Sequence, residues 1–456
     1  MRRPVLALHA FVVGLALHNL AMAELWAAGV RGGWLDAVSA WKDVLLLACL
    51  AAVSPRAWRA LRFRTVDALA LGYAAVVVVW SLLPQRWLGG HATHRGILLG
   101  AREDLVPVGA YLLGRGLALT ERELRRLGTT IVATAAGLAA FGLVDIYAIP
   151  LSWWRHSGAP GWFHRQLGFD YRGLSYLPEN FVYNTGNEHP LRRLVSTFLS
   201  PLASSYLFVV ALLLGASALA RRARPVLAWA AATVLVFAGL LWTHSRSSYL
   251  ALVLGLALLA VVRRGARLAL AAAALLVLVA GTAFVKVYPH LAPATSFTAQ
   301  ELAVQRAHAH ATGGAAVSGL EDASITSHWH ALRAGASTVL HHPQGFGVGN
   351  AGSTAARTGV PVEAGESTYT ELGADAGLAG ALLFVAWSLA LAGLLVVRAP
   401  WLGAAFVAVL ALGLQTDVIG VPWLAYVLWA LAGSAVTTAG AGAASSPRRT
   451  RPLHQL

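Results

Sequence analysis

The segment that decides the fold is residues 225–262, which read PVLAWAAATVLVFAGLLWTHSRSSYLALVLGLALLAVV. Two apolar runs, 225–243 and 247–262, flank a short polar junction that contains His244 and Arg246. Each run approaches the length of about 20 residues that a helix needs to cross a bilayer. The segment therefore predicts two membrane-crossing helices joined by a polar turn.

The composition of the whole chain points the same way. Of 456 residues, 57% are hydrophobic and only 12% are charged, whereas soluble domains carry about 25% charged residues. These values exclude a soluble globular protein, and the high hydrophobicity excludes a disordered one. The single cysteine, Cys49, excludes a disulfide scaffold. We assign the net charge of +15 to arginines beside a membrane, so no nucleic-acid partner is expected.

Twelve apolar segments predict an all-α, polytopic membrane protein with about 12 transmembrane helices. They are approximately 4–29, 34–54, 65–84, 97–114, 127–149, 196–220, 225–243, 247–262, 268–287, 368–397, 400–416 and 419–440. Two long polar loops separate them, and the larger lies between the ninth and tenth helices. Both loops contain aromatic residues, so we expect ordered structure, with short helices near 297–311 and 327–341.

Six parts follow from this pattern. They are helices 1–5 in 1–149, an outer loop in 150–193, helices 6–9 in 194–287, a large outer loop in 288–367, helices 10–12 in 368–440 and a basic cytoplasmic tail in 441–456. Arginines cluster at every second connection, which places both termini in the cytoplasm and both loops outside. The apolar run near the N-terminus is long for a signal peptide, so we expect it to be a retained helix.

Three arginines lie at the outer ends of predicted helices. Arg246 opens the eighth helix, and Arg192 and Arg193 precede the sixth. A guanidinium group binds phosphate through two hydrogen bonds, and several together can neutralise a diphosphate leaving group without a metal. The alternative at each position is an anchor that reaches lipid headgroups.

Four sequence blocks resemble those of a known family. Residues 193–201 (RLVSTFLSP) are similar to an R-x-x-G-T-F-x-N-P stretch, and residues 245–251 (SRSSYLA) resemble an S-R-[ST]-[GA]-[WYL] signature. Residues 342–350 (HPQGFGVGN) are similar to a Pro-Gly run, and residues 366–380 (ESTYTELGADAGLAG) resemble H-N-x-[YL]-L-x-x-L-x-E-x-G-[LI]-x-G. In this order the blocks resemble the O-antigen ligase and polymerase superfamily over about residues 190–400.

The resemblance implies a glycosyltransferase of the GT-C type in the bacterial inner membrane, with its active site facing outward. Such enzymes transfer an undecaprenyl-diphosphate-linked glycan to a sugar hydroxyl of a glycan or lipid-core acceptor during surface polysaccharide assembly. They need no metal or other cofactor. The family's donor-binding arginines correspond to Arg193 and Arg246. Two departures are Ser196 and Ser200, which replace a glycine and an asparagine.

Position 366 departs most from the family. Ligases carry a histidine there that is proposed to activate the acceptor hydroxyl, and this chain has Glu366. A carboxylate can also act as a general base, so we expect Glu366 to be catalytic together with Arg193 and Arg246. The alternative is a loop carboxylate that, with Ser367, caps the tenth helix. The replacement of that histidine by Glu366 does not decide between a ligase and a polymerase.

Four further residues are predicted to bind substrate: Arg192, His244, Arg102 and His342. The histidine pairs of the large loop, which include His328 and His330, do not share a helix face, and no H-E-x-x-H motif is present. We therefore expect no metal site and place His328, His330 and His342 along an acceptor groove. A transporter or flippase of a lipid-linked saccharide is the alternative function; it needs a polar route through the membrane and no base in a loop.

Overall fold

The computed structural model describes residues 5–60, 63–184, 188–311 and 323–444. The predicted basic tail lies almost wholly outside these residues, as do Arg2 and Arg3. The surroundings of the His308 and His310 side chains are also outside the description.

The described residues are mostly helical. The α-helices are α1 Val5–Ala27, α2 Gly33–Ser39, α3 Trp41–Ala60, α4 Thr65–Leu82, α5 Gln85–Leu88, α6 His94–Leu117, α7 Glu121–Ala148, α8 Leu151–His156, α9 Pro201–Ala220, α10 Val226–Trp242, α11 Arg246–Val262, α12 Arg267–Leu291, α13 Ala299–Ala311, α14 Ala323–His341, α15 Gly352–Thr358, α16 Thr368–Arg398, α17 Pro400–Leu412 and α18 Trp429–Ala444. Short 3₁₀ turns span Arg172–Leu174, Glu179–Phe181, Ser196–Phe198 and Arg264–Ala266, and π-helical turns span Gly161–Gln166 and Leu424–Leu428.

The all-α prediction holds apart from one short hairpin. Strands β1 (Val182–Tyr183) and β2 (Leu191–Arg192) pair antiparallel, with Val182 opposite Arg192. The twelve predicted apolar segments all coincide with helices, and the two helices predicted in the large loop appear as α13 and α14. Among the described residues, six helices are long and apolar enough to cross a membrane: α1, α4, α7, α9, α12 with the turn before it, and α16. The full number of crossings stays a prediction.

One end of the helix bundle carries the long loops, and we call it the loop end. Hydrogen bonds there join the N-terminal parts of α3 and α6 (Arg102 to Asp43) and the C-terminal ends of α7 and α12 (Tyr147 to the Leu291 carbonyl). The loop 150–193 packs with the C-terminal part of α1 and with α2 in a small apolar core, in which Trp154 and Trp162 are buried. The prediction that aromatic residues order this loop is therefore confirmed.

The long helix α16 is broken at Gly377. This residue has φ 70° and ψ 175°, a conformation that favours glycine. In a continuous helix, the amide of Leu378 would donate to the carbonyl of Ala374. The break separates these two groups, so each needs another partner if it lies within a membrane.

The glycine run after α14 supplies those partners. The Phe346 amide donates to the Ala374 carbonyl at 2.6 Å, and the Leu378 amide donates to the Pro343 carbonyl at 2.8 Å. Gly345, with φ 73°, lies directly against the backbone at Gly377. The run 342–350 thus completes a helix whose own hydrogen bond is lost, and it fixes the orientation of the first half of α16.

We predict that Gly345→Ala destabilises the protein. The new Cβ would lie 2.5 Å from the Gly377 nitrogen, and the left-handed backbone alone costs a non-glycine residue about 1–2 kcal/mol. Thermal unfolding of the purified protein in detergent measures the effect. The control is Gly137→Ala in α7, whose Cβ would meet nothing within 4 Å and which should lose no stability. Equal unfolding midpoints for Gly345→Ala and the wild type would contradict the account.

Candidate functional site

The loop end brings Arg193 and Arg246 together. The Nε atom of Arg193 donates to the carbonyl of Thr243 at 2.9 Å, in the junction that leads into α11. Arg246 is the first residue of α11. Burial lowers the pKa of the Arg193 guanidinium, and the positive charge of Arg246 lowers it further. The two guanidinium groups therefore lie within electrostatic reach of each other, as the resemblance predicts for donor-binding arginines.

Hydroxyl groups fix the start of α11. Ser248 is hydrogen-bonded to Ser205 of α9 at 2.8 Å and to Ser245 at 2.9 Å. The Tyr249 hydroxyl donates to the Leu241 carbonyl at 2.7 Å, across the junction. The polar residues around Arg246 therefore hold the turn between two apolar helices in one geometry.

His244 lies in this turn as a buried ring. It stacks on Tyr288 with 4.1 Å between ring centroids and meets the edge of Tyr183 at 4.6 Å. Burial, followed by the charges of Arg193 and Arg246, lowers its pKa to about 3. The imidazole is therefore neutral at physiological pH. The role of His244 in substrate binding stays a prediction. Because its ring is neutral, it would not meet a phosphate as a cation.

Glu366 pairs with a histidine from another helix. The Nδ1 atom of His328, in α14, lies 2.6 Å from Oε2 of Glu366, and both side chains are partly exposed. This hydrogen bond lowers the pKa of Glu366 and raises that of His328, while the charge of Arg246 opposes the rise. Arg246 is therefore also within electrostatic reach of this pair. The Ser367 hydroxyl donates to the Gly413 carbonyl and accepts no hydrogen bond from an amide of the first turn of α16, so the structure does not show the helix cap.

Several residues at this end have left-handed backbone conformations. The φ angles are 63° at Glu366, 48° at His244 and 51° at Ser196. Such angles are uncommon for residues other than glycine and persist only where surrounding contacts enforce them. Surrounding contacts therefore hold the turns at His244 and Glu366, and the segment after Arg193, in strained backbone conformations.

Arg192 has a buried carboxylate partner on α7, while its Nε and Nη1 atoms have no hydrogen-bond partner among the described residues. Its guanidinium lies 3.4 Å from Asp145 of α7, and the two side chains are 3% and 0% exposed. The Tyr288 hydroxyl donates to the Arg192 carbonyl, and the Arg192 amide donates to Pro293. The structure thus gives Arg192 the position of a buried ion-pair partner that joins the two long loops to α7, and its role in substrate binding stays a prediction.

The other two predicted binding residues lie elsewhere at the loop end. Arg102 donates to Asp43 of α3 at 2.7 Å and lines a separate cavity. The Nε2 atom of His342 lies 2.8 Å from the Leu88 carbonyl, and its ring stacks on Phe346 at 4.0 Å. His342 thereby fastens the glycine run to α5. Substrate binding by these two residues stays a prediction.

A cluster of carboxylates lies beside the first half of α16. Its members are Glu103, Asp104, Glu371, Asp375 and Asp417, around a cavity of about 20 Å³. Asp375 accepts from the amides of Gly349 and Asn350 at 3.1 and 2.9 Å. Burial and the charge of Glu103 raise the pKa of Asp417. Within the part of the chain that the structure describes, no group of three or more His, Cys, Asp or Glu residues is arranged to hold a metal ion.

The comparison with family models agrees with this geometry. Residues 231–385 match the family model described as O-antigen ligase. The match supports the O-antigen ligase and polymerase superfamily and confirms the resemblance over about a third of the chain. It includes Arg246, His328 and Glu366, whereas Arg193 precedes it. No curated protein matches the chain.

The match also bears on the general class of the protein. O-antigen ligases transfer glycans, so the family indicates glycan transfer of the ligase or polymerase kind. Together with the apolar helices, it indicates a multi-pass bacterial membrane protein involved in polysaccharide biosynthesis.

Sequence reasoning missed the partner of Glu366. His328 is 38 residues earlier in the chain and was placed only along an acceptor groove. Two features of the sequence could have indicated this pair. Position 366 lacks the histidine of the resembling family, and the polar helix predicted near 327–341 contains several histidines. In the structure, His328 of α14 supplies an imidazole beside Glu366.

We predict that Arg192→Ala lowers the free energy of unfolding by about 3–5 kcal/mol, because it leaves the Asp145 carboxylate buried without its partner. Thermal unfolding in detergent tests this. Arg172→Ala removes an exposed ion pair with Asp170 and is the matched control, with an unchanged midpoint expected. If Arg192→Ala unfolds like the wild type but binds the donor poorly, Arg192 acts on the substrate and the structural role inferred from the ion pair is wrong.

Proposed function

We propose that the protein transfers an undecaprenyl-diphosphate-linked glycan to a sugar hydroxyl on the outer face of the inner membrane. The observation that supports this most directly is the convergence of Arg193, Arg246 and the His328–Glu366 pair at the loop end. Two cations suit a diphosphate, and an imidazole beside them suits an acceptor hydroxyl. Ligase and polymerase share this chemistry.

The two arginines would hold the leaving group. Guanidinium groups bind phosphate oxygens through paired hydrogen bonds, and a group already fixed in place loses little on reorganisation when charge develops. Arg193 is fixed by its bond to Thr243, and the backbone of Arg246 lies in the N-terminal turn of α11. Burial is the larger cause of the lowered pKa of Arg193, and the charge of Arg246 adds to it. A diphosphate bound between the two groups would relieve this repulsion.

The histidine is the better base of the pair. Glu366 Oε2 is engaged by Nδ1 of His328, which leaves Nε2 for the acceptor hydroxyl. A carboxylate at Nδ1 orients an imidazole and stabilises the imidazolium that forms when it accepts a proton. We therefore propose His328 as the general base and Glu366 as the residue that positions it. The sequence alone favoured Glu366 as the base.

The step balances without a further reactant. Nε2 of His328 takes the proton of the acceptor hydroxyl, and the hydroxyl oxygen forms a bond to the anomeric carbon of the donor. The bond between that carbon and the phosphate oxygen breaks, and its electron pair leaves with the diphosphate. Arg193 and Arg246 neutralise the added charge.

We predict that Arg246→Ala reduces surface polysaccharide about 100-fold or more in a deletion strain that carries the variant, the range seen for loss of one transition-state donor. Arg246→Lys keeps the charge but loses the forked geometry of the guanidinium group, so it should restore only part of the surface polysaccharide. Arg264→Ala, at an exposed arginine beyond the other end of α11, is the control and should restore wild-type levels.

Lipid-linked intermediates in that strain identify the reaction. Single repeat units on the outer leaflet indicate a polymerase, and long chains on the carrier indicate a ligase. Accumulation of saccharide on the cytoplasmic leaflet would contradict the transferase and favour a transporter or flippase.

We predict a pH profile that separates His328 from Glu366. The hydrogen bond with Glu366 raises the pKa of His328 above 6.5, and only the neutral imidazole accepts a proton. Transfer should therefore increase with pH through that raised pKa. Glu366→Gln removes the cause of the rise, so the acidic limb should move to lower pH and the maximal rate should fall. The measurement is the rate of glycan transfer by purified enzyme against pH.

Two further variants complete this experiment. His328→Gln should abolish the acidic limb together with most of the rate. His330→Gln, two residues along α14, is the matched control and should keep the wild-type profile. Loss of the limb in Glu366→Gln with its retention in His328→Gln would show that Glu366 is the base.

A further inference from the structure

A second cavity opens at the loop end, beside α1, α3 and α6. Its volume is about 420 Å³, within the range of small-ligand sites. Basic and aromatic side chains line its walls, among them Lys42, Arg95, Arg102, Arg357, Trp162 and Phe169. The residues assigned above to the donor and to proton transfer do not line it.

Three arginines of this cavity lie close together. Arg102 is paired with Asp43, and the Asp36 carboxylate accepts from the Gln166 amide. Burial lowers the pKa of the Arg357 guanidinium, the charge of Glu103 raises it, and the charges of Arg102 and Arg95 lower it. Around Arg357, three guanidinium groups therefore lie near the Glu103 carboxylate, and a cleft with a local excess of positive charge attracts anions.

Arg357 is held in place. Its Nε donates to the Leu167 carbonyl at 3.0 Å, and its guanidinium lies over the Phe169 ring, 5.6 Å from the centroid. This arrangement fixes the guanidinium and leaves its Nη atoms to bind a ligand. The cavity is therefore organised before any ligand enters.

Two aromatic side chains, those of Trp162 and Phe169, line the cavity beside the arginines. Aromatic walls with a few placed polar groups are typical of small-ligand sites. The C–H faces of a sugar suit such walls, and its hydroxyl groups suit the guanidinium groups.

The cavity borders the segments that carry the proposed donor site. Asn19 lines it and donates to the Phe198 carbonyl at 2.8 Å, in the turn that follows Arg193. Glu103 lines it and lies close to Asp417, whose carboxylate accepts from Thr368 at the start of α16. The lining of the cavity is therefore in contact with the turn that follows Arg193 and with the residues that contact the start of α16.

We infer that this cavity binds the acceptor through an anionic sugar, whose phosphate or carboxylate lies against Arg357 and Arg95. The inference rests on the proposed function, because only a transferase needs a second substrate beside the donor. The shared chemistry is a sugar with a negative charge. A phosphorylated core sugar and an acidic repeat unit are its two sources.

Thermal stabilisation of the purified protein in nanodiscs tests the inference. The probes are glucose 6-phosphate, glucuronate, glucose and inorganic phosphate at equal ionic strength. We expect either acidic sugar, or both, to raise the unfolding midpoint more than glucose or phosphate does. Stronger binding of glucose 6-phosphate points to a phosphorylated acceptor, and stronger binding of glucuronate to an acidic one.

Variants locate the effect. Arg357→Ala should weaken binding of the acidic sugar at least tenfold, and Arg95→Ala provides a second test should Arg357→Ala not fold. Arg246→Ala and the surface control Arg172→Ala should bind it as the wild type does. The inference is wrong if glucose or inorganic phosphate binds as well as the acidic sugars, or if Arg246→Ala loses the binding and Arg357→Ala keeps it. Either failure leaves the donor assignment standing, since the glycan pools test that separately.

Discussion

The interrupted backbone hydrogen bond in α16 is the constraint on which the site depends. Within a membrane every amide and carbonyl needs a partner, and the break at Gly377 removes one helical bond. The glycine run restores both halves of it, through Phe346 and Pro343. The same contact orients the first half of α16, so the position of Glu366 depends on a loop that precedes it in the chain.

Much of the fold follows from elementary patterns in the sequence. Apolar runs of bilayer length predicted the helices, because a spanning helix satisfies its own backbone. The junction 243–246 was predicted to carry a functional arginine because Arg246 lies at the outer end of a predicted helix and because residues 245–251 resemble a family signature. Arg102 was predicted to bind substrate, and the structure places it against Asp43.

Tertiary contacts were beyond the reach of periodicity. The pairing of His328 with Glu366 crosses the large loop, and no local pattern encodes which histidine of several meets a given carboxylate. The break at Gly377 was hidden inside an apolar run, where a glycine is ordinary. Arg192 and Arg193 are adjacent in the sequence, yet Arg192 lies buried against Asp145, whereas Arg193 donates to the Thr243 carbonyl within electrostatic reach of Arg246. Strand β2, which ends at Arg192, is only two residues long, so no periodicity in the sequence marks it.

Positive charge at the loop end falls into two groups, one around Arg193 and Arg246 and the other around Arg357. A structure of the protein in nanodiscs with a polyprenyl diphosphate bound tests the central claim most directly. The account predicts diphosphate density between the guanidinium groups of Arg193 and Arg246, with the His328 imidazole facing the first sugar carbon of a glycosylated donor. Diphosphate density in the cavity beside Arg357, with Arg193 and Arg246 unoccupied, would contradict it.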